Sequence, residues 1–183
     1  MPTYDFICND CNATAVIAAT DEIFEKCKEL KEKAPSIQLV VGLSLPKTNP
    51  LSYAAICEAG AKAPSPAIRP EPKDIACLIY TSGTTGNPKG VILTHYNIAS
   101  NINAVHDIFP MREDDRSLSF LPWAHSFGQT CELHALFSNG ASMALCESTQ
   151  KIIENLAEVK PTLLFSVPRI FNKLYQAVQK QIS

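Results

Sequence analysis

The sequence has 183 residues, of which 46% are apolar and 19% are charged, and its formal net charge is −2. At roughly 150 residues per domain this length corresponds to one domain of ordinary size, and the balance of charge excludes a basic surplus that would hold nucleic acid or an anionic membrane. Because no segment reaches the ~18 consecutive apolar residues of a membrane helix and Met1–Asp5 lacks a secretory signal pattern, we expect a cytoplasmic protein, with peripheral membrane contact left open.

Alternating apolar runs and amphipathic stretches predict strands and helices in turn. In the first part of the chain they predict a strand over 14–19, a helix over 21–33, a strand over 37–43 and a helix over 52–59 that Gly60 ends. Residues 61–73 carry four prolines, which exclude regular structure and indicate a crossing between two halves of one domain.

The second part of the chain continues the alternation. The predicted elements are strands over 75–80 and 91–93, a helix from Thr94 to about 109, a strand over 117–121, a helix over 126–138, a strand over 141–146, a helix over 149–159, a strand over 162–167 and a helix over 168–180. Repeated β-α-β units predict an α/β fold with a mainly parallel sheet and helices on both of its faces.

The seven cysteines are scattered and odd in number, as expected of reduced thiols that act as small hydrophobic residues. Cys8 and Cys11 form the C-x-x-C spacing, but no second pair accompanies them, so the sequence gives no reason to expect a zinc site.

Residues 80–90 form a loop suited to phosphate, with the sequence Tyr-Thr-Ser-Gly-Thr-Thr-Gly-Asn-Pro-Lys-Gly. Its glycines let backbone N–H groups approach an anion, its hydroxyls add donors, and Lys89 adds a positive charge. It does not fit the phosphate loop of nucleotide triphosphatases, because Lys89 lies between Pro88 and Gly90 and a predicted strand follows instead of a helix. An unliganded polar hairpin is the alternative interpretation.

The loop resembles the signature of the adenylate-forming (AMP-binding) superfamily, whose members join a carboxylate to AMP from ATP and then usually pass the acyl group to a thiol. This resemblance implies that ATP, Mg²⁺ and coenzyme A are the cofactors and co-substrates. It also implies that Lys89 is catalytic and that Thr81 is a possible Mg²⁺ ligand. By the same resemblance, the residues that bind the ATP phosphates are Thr81, Ser82, Gly83, Thr84, Thr85, Gly86, Asn87, Pro88 and Lys89.

A second candidate lies in Leu121-Pro122-Trp123-Ala124-His125, which is followed by Ser126-Phe127-Gly128. It places a histidine after a predicted strand, where α/β proteins carry their chemistry, although such a histidine is also common as a structural residue. The segment is similar to one in acyl-CoA synthetases, and this similarity implies that His125 faces the acyl-adenylate site. Trp123 and Phe127 are equally consistent with a pocket wall and with the core.

A third segment, Val167-Pro168-Arg169-Ile170-Phe171-Asn172-Lys173-Leu174, is similar to a stretch found in long-chain fatty acyl-CoA synthetases. It favours a fatty acid as the substrate, with Arg169 either bracing the helix or touching ligand. An aryl or amino acid substrate is the alternative within the superfamily. A remnant that binds only nucleotide or a protein partner is the alternative outside catalysis.

The resemblance covers only the middle of the large N-terminal domain of such enzymes, with 1–60 as a first βα segment, 61–73 as the crossing and 74–183 as the phosphate loop and the βα units after it. The later Tyr-Gly-x-Thr-Glu segment, the ribose-binding aspartate, the hinge and the C-terminal lid with its lysine are not found in these residues. We therefore expect that the 183 residues alone do not complete the reaction, and that a truncated sheet would favour self-association.

Overall fold

The computed structural model describes residues 2–82 and 86–182 and divides the chain into two compact units. Unit 1 comprises Met1–Glu71 with Ile75–Ile92, and unit 2 comprises Pro72–Asp74 with Leu93–Ser183. The strands of the described residues form three two-stranded sheets. The predicted α/β fold is confirmed, and two of these sheets are parallel.

Unit 1 alternates helices and strands. Its elements are α1 (Pro2–Asp10), β1 (Ala15–Ala18), α2 (Asp21–Lys33), β2 (Leu39–Gly42), α3 (Tyr53–Lys62), β3 (Ile75–Thr81) and the first part of β4 (Lys89–Thr94). β1 and β2 pair in parallel, from Ala15 opposite Leu39 to Ala18 opposite Gly42. β3 pairs with β4.

Helix α2 supplies most of the core of unit 1. Thr20 caps it, because its side-chain oxygen accepts a hydrogen bond from the backbone N–H of Ile23 at 3.3 Å. The buried positions Phe24, Cys27 and Leu30 follow the 3.6-residue period, and they pack under β1 and β2 with Ile37 and Val40. The helix is thus fixed by a local cap at its start and by one apolar face along its length.

Unit 2 continues the alternation. After β4 come α4 (His95–Ile108), β5 (Arg116–Ser119), a π-helix (Gly128–His134), α5 (Ala135–Ser138), β6 (Ser142–Leu145), α6 (Ile152–Val159) and α7 (Pro168–Ile182). β5 and β6 pair in parallel, with Arg116 opposite Ser142 and Ser119 opposite Leu145. The buried cluster of this unit consists of Met111, Ala135, Leu136 and Ala141.

The start of α4 follows the sequence prediction. The side-chain oxygen of Thr94 accepts from the backbone N–H of Asn97 at 3.2 Å, and the Asn97 side chain accepts from the backbone N–H of Thr94 at 3.0 Å. This reciprocal arrangement is a capping box, and it turns the chain from β4 directly into the helix.

Several predicted boundaries were wrong. Helix α3 runs through Gly60 to Lys62, because a glycine there needs no left-handed backbone and faces open space. The predicted strand over 162–167 makes a single bridge, between Leu163 and Ser117. The backbone N–H groups of Thr162 and Leu163 both donate to the carbonyl of Arg116, at 2.9 and 3.1 Å. The segment therefore pairs with β5 at this point only and does not form a strand. Helix α1, with Pro2 in its first turn, was not predicted.

The predicted helix over 126–138 is a π-helix from Gly128 to His134 before it becomes α-helical. Its central residue, Glu132, is fully buried. The hydroxyls of Ser117 and Ser119 on β5 donate to its two carboxylate oxygens, at 2.9 and 2.7 Å. Burial raises the pKa of Glu132, and these hydrogen bonds oppose that rise.

Within the described residues, none of the helices has the length and apolar character that are needed to cross a membrane. The seven cysteines are free thiols. Burial raises the pKa of Cys8 and Cys27, which lie in the core of unit 1.

Leu30 and Ile23 allow a matched test of the core of unit 1, since both lie on α2 and only Leu30 is buried. Leu30→Ala should lower the free energy of unfolding by about 2–5 kcal/mol, because it opens a cavity beneath β1 and β2. Ile23→Ala, at a side chain that is 40% exposed, should cost about 0.5 kcal/mol. Urea denaturation followed by circular dichroism measures both, and equal losses would contradict this assignment of the core.

Glu132→Gln tests the buried carboxyl through its pH dependence. Because the pKa of Glu132 is raised in the folded state, its contribution to stability is complete below the unfolded pKa of ~4.3 and is lost as the pH rises through the folded pKa. The stability of the natural protein should therefore fall relative to that of Glu132→Gln as the pH rises from 4 to 8. Urea denaturation across this pH range measures the difference.

The control is Glu147→Gln, at an exposed glutamate whose pKa is lowered by the hydrogen bond from Lys151. Here the sign is opposite, so the natural protein should gain a little stability relative to this variant as the pH rises to the unfolded pKa of ~4.3, and the difference should change little above it. The same pH trend in both variants would refute the raised pKa of Glu132.

Candidate functional site

The predicted phosphate loop joins β3 to β4 in unit 1. Tyr80, near the end of β3, donates from its hydroxyl to the carboxylate of Asp10 at 2.6 Å, and this hydrogen bond raises the pKa of Tyr80. On β4, a Cβ added to Gly90 would lie 3.0 Å from the Tyr80 ring. The hairpin is therefore tied to the end of α1 by Tyr80, and Gly90 leaves the space in which the ring lies.

The predicted phosphate-binding residues flank the turn of this hairpin. Thr81 is the last residue of β3 and Lys89 the first of β4, and both side chains are exposed. Gly86 has φ +97°, in the left-handed region that favours glycine. Ser82, Asn87 and Pro88 complete the described part of the loop. The predictions for Gly83, Thr84 and Thr85 fall outside the residues that the structure describes.

His125 lies in unit 2, at the corner between β5 and the π-helix. Its backbone N–H donates to the carbonyl of Pro122 at 3.1 Å, and its own carbonyl accepts from Gln129 at 3.0 Å. A Cβ on Gly128 would come within 3.0 Å of the Pro122 carbonyl oxygen, so only glycine lets the helix start this close to the corner. The backbone is thus fixed while the imidazole is exposed.

Phe127, two residues after His125, lines an apolar cavity of about 440 Å³. The π-helix, the end of α4 and the segment before α7 form its walls. The lining residues are Val105, Phe109, Met111, Phe127, Cys131, Leu163, Leu164, Phe165, Ser166 and Phe171. Phe127, which was equally consistent with core and with pocket wall, lines the cavity and is 46% exposed, so the cavity opens to solvent.

A second cavity, of about 330 Å³, shares Phe127 and Cys131 with the first. Its remaining walls are more polar, since Asn97 and Asn101 of α4 face it together with Ser126 and Thr130. Phe127 and Cys131 therefore contribute to the walls of one apolar and one mixed cavity.

The polar network behind the corner was not predicted from the sequence. Trp123 donates from its indole Nε1 to the Ser119 hydroxyl at 3.2 Å, and Ser119 donates to Glu132. Ser117 and Ser119 are alternate residues of β5, so both side chains lie on one face of the strand. Two serines at this spacing in a buried strand were the signal that a polar partner lies opposite them.

The predicted site residues fall into two groups. The hairpin residues lie in unit 1, and His125 lies in unit 2. Arg169 is exposed in the first turn of α7. Across residues 2–82 and 86–182, no three or more His, Cys, Asp or Glu side chains come together as a metal centre would require.

Comparisons with known proteins identify the family of this chain. The family model described as "AMP-binding enzyme" matches residues 2–183. Peroxisomal long chain acyl-CoA synthetase 6 of Arabidopsis thaliana is 31% identical over 97% of this chain, which spans 28% of that protein. Long-chain-fatty-acid–CoA ligase 3 of Saccharomyces cerevisiae is 42% identical over 62% of this chain and 18% of that protein. The chain thus spans less than a third of the length of these two relatives.

Solved structures agree as well. The apo structure of MbtA from Mycobacterium smegmatis superposes with a TM-score of 0.78 at 26% identity, over 92% of this chain and 32% of that one. The crystal structure of ATP-bound MatB from Rhodopseudomonas palustris gives a TM-score of 0.73 at 25% identity, over 94% of this chain and 33% of that one. With the family model matched along almost its whole length, the chain belongs to the family of AMP-binding enzymes.

Proposed function

We propose that this chain provides the phosphate-binding hairpin and the acyl pocket of an ATP-dependent long-chain fatty acyl-CoA synthetase. In this reaction a fatty acid and ATP give an acyl-adenylate and pyrophosphate, and coenzyme A then takes the acyl group. The observation that carries the proposal is the apolar cavity beside the His125 corner, since an acyl chain needs an apolar cavity next to the groups that hold its carboxylate. Membership of the AMP-binding family and the acyl-CoA synthetases among its relatives support it.

At the ATP end, the exposed hydroxyls of Thr81 and Ser82 and the ammonium of Lys89 surround the turn of one hairpin. Lys89 would stabilise the negative charge that grows on the departing pyrophosphate. The hydroxyl of Thr81 is an oxygen ligand of the kind that Mg²⁺ takes when ATP phosphates and water supply most of its coordination. Mg²⁺ would offset part of the phosphate charge.

At the acyl end, the cavity volume of about 440 Å³ lies within the ~300–1,000 Å³ usual for ligand pockets. Its lining is mostly aromatic and aliphatic, so each buried methylene of the ligand would contribute about 0.8 kcal/mol. His125, exposed at the neighbouring corner, would donate a hydrogen bond to the carboxylate or to the acyl phosphate oxygens.

The second cavity favours one alternative. Asn97 and Asn101 would suit the polar groups of an aryl or amino acid better than a hydrocarbon chain. Comparing the binding of palmitate, benzoate and an amino acid to the same preparation separates the two substrate classes. Because these relatives are more than three times as long as this chain, we propose that the 183 residues alone bind ligands and do not complete the reaction. We also propose a cytoplasmic location.

Lys89→Ala should weaken the binding of Mg²⁺-ATP roughly 10-fold to 100-fold, because charge-assisted hydrogen bonds contribute about 1.5–3 kcal/mol. Calorimetric titration measures the affinity, and thermal unfolding checks that folding is unchanged. The control is Lys47→Ala, which removes another exposed lysine of unit 1, one that is paired with Glu58. If both variants bind Mg²⁺-ATP alike, Lys89 does not hold phosphate.

Cys131→Phe should fill part of the apolar cavity and lower palmitate affinity at least tenfold. The added ring would prevent roughly two methylenes of palmitate from being buried, at ~0.8 kcal/mol each. Octanoate, which needs less of the cavity, should lose less. Cys57→Phe, at an exposed cysteine of α3, is the control and should leave binding unchanged. Palmitate bound as tightly by Cys131→Phe as by the natural protein would place the acyl chain elsewhere.

A further inference from the structure

The buried carboxylate of Glu132 is connected to the corner that carries His125. Its oxygen Oε2 accepts from the Ser119 hydroxyl at 2.7 Å, and the oxygen of that hydroxyl accepts from the Trp123 indole N–H at 3.2 Å. Trp123 is itself the second residue of the turn that the hydrogen bond from His125 N–H to the Pro122 carbonyl closes. Two consecutive hydrogen bonds therefore connect the π-helix to Trp123, which is part of the turn of His125.

The other oxygen of Glu132 makes a branch that does not reach the turn. Oε1 accepts from Ser117 at 2.9 Å, and no further hydrogen bond of the Ser117 side chain is recorded in the described part of unit 2. Ser117 and Ser119 thus make similar bonds to one carboxylate, but only Ser119 extends the connection to Trp123. Loss of either hydroxyl therefore removes one bond to the carboxylate, but only loss of the Ser119 hydroxyl should affect the position of Trp123.

The carboxylate is a costly way to fill this space. Glu132 is fully buried, and within residues 2–82 and 86–182 its recorded partners are the hydroxyls of Ser117 and Ser119 and the indole of Trp123, which are neutral donors and not a cation. An apolar side chain would fill the same volume without the desolvation penalty of a carboxylate. What a carboxylate adds is two directed acceptors, which fix the two serine hydroxyls and thereby the oxygen to which Trp123 donates.

We propose that Glu132 is a positioning residue that sets the orientation of Trp123 through Ser119 and so holds the turn of His125 in place for the acyl group. The role for the acyl group rests on the proposed function. The connection between Glu132, Trp123 and His125 does not depend on it.

The test compares Ser119→Ala with Ser117→Ala, which each remove one hydroxyl donor from the same carboxylate. Trp123 is the single tryptophan, so the emission of the protein reports on its surroundings alone, and the four histidines allow the imidazole signal of His125 to be assigned by NMR with His125→Gln. Ser119→Ala should shift both the Trp123 emission and the His125 signal. Ser117→Ala should leave both nearly unchanged while lowering stability to a similar degree.

A double-mutant cycle then assigns the effect to Glu132 itself. Glu132→Ala should shift both signals, and the shift should be smaller when Ser119 is already alanine, because the connection through Ser119 is then absent and only the direct contact between Glu132 and Trp123 is left. The proposal is overturned if Ser119→Ala moves neither signal, if Ser117→Ala moves them as far, or if the effects of Glu132→Ala and Ser119→Ala add. Circular dichroism confirms folding, and if Glu132→Ala does not fold, the comparison of the two serine variants decides.

Palmitate titration separates this proposal from the proposed function. If the natural protein binds palmitate, Ser119→Ala should weaken binding roughly tenfold, because a small misplacement of a positioned group is costly, and unchanged binding would overturn the role for the acyl group. If the natural protein binds no palmitate, the proposed function and this acyl role fail together, while the two spectroscopic signals still decide whether Glu132 positions the turn.

Discussion

The hydrogen bonds between Glu132 and the two serines of β5 are the constraint around which unit 2 is arranged. A fully buried carboxylate needs directed donors, and Ser117 and Ser119 provide them from one face of a strand. The π-helix must therefore lie against that face with Glu132 pointing inward. The corner between strand and helix, with His125 at its tip, is confined by the same bonds, because Trp123 donates to Ser119.

The cavities follow from this arrangement. Cys131 directly precedes Glu132, so the residue next to the buried carboxyl contributes to the wall of both cavities. Phe127 lies one helical turn earlier and shares this wall. In this helix a residue that lines the cavities, Cys131, is adjacent to a buried polar residue, Glu132. The helix is π-helical here, and π-helices are often found at functional sites.

Local features were predictable from the sequence, and non-local ones were not. Thr20 and Thr94 are caps because each hydroxyl lies three residues before the N–H that it accepts, a spacing visible in the sequence. Glycine is a common residue at helix ends, but Gly60 lacks the positive φ of a glycine that ends a helix, so the predicted end of α3 came too early. The predicted strand at 162–167 failed because its pairing with β5 ends where two N–H groups share one carbonyl.

The candidate site divides in the same way. The hairpin and the His125 corner were found because their residues are contiguous, and the phosphate-binding roles remain predictions. Glu132 was missed because its partners are 13 and 15 residues away and because a single glutamate in a predicted helix ordinarily faces solvent. The cavity was missed since its walls come from segments far apart in the chain.

One glycine of the loop motif has a purpose apart from phosphate. Gly90 borders the Tyr80 ring so closely that a methyl group there would meet the ring at 3.0 Å, while the Tyr80 hydroxyl is held by Asp10. Any larger residue at position 90 would require the Tyr80 ring to shift by a few tenths of an ångström, whether or not a nucleotide is bound. In a saturation mutagenesis of residues 80–90, intolerance at Gly90 would report on the anchoring of the hairpin, and should be kept apart from intolerance at positions such as Lys89 that report on ligand.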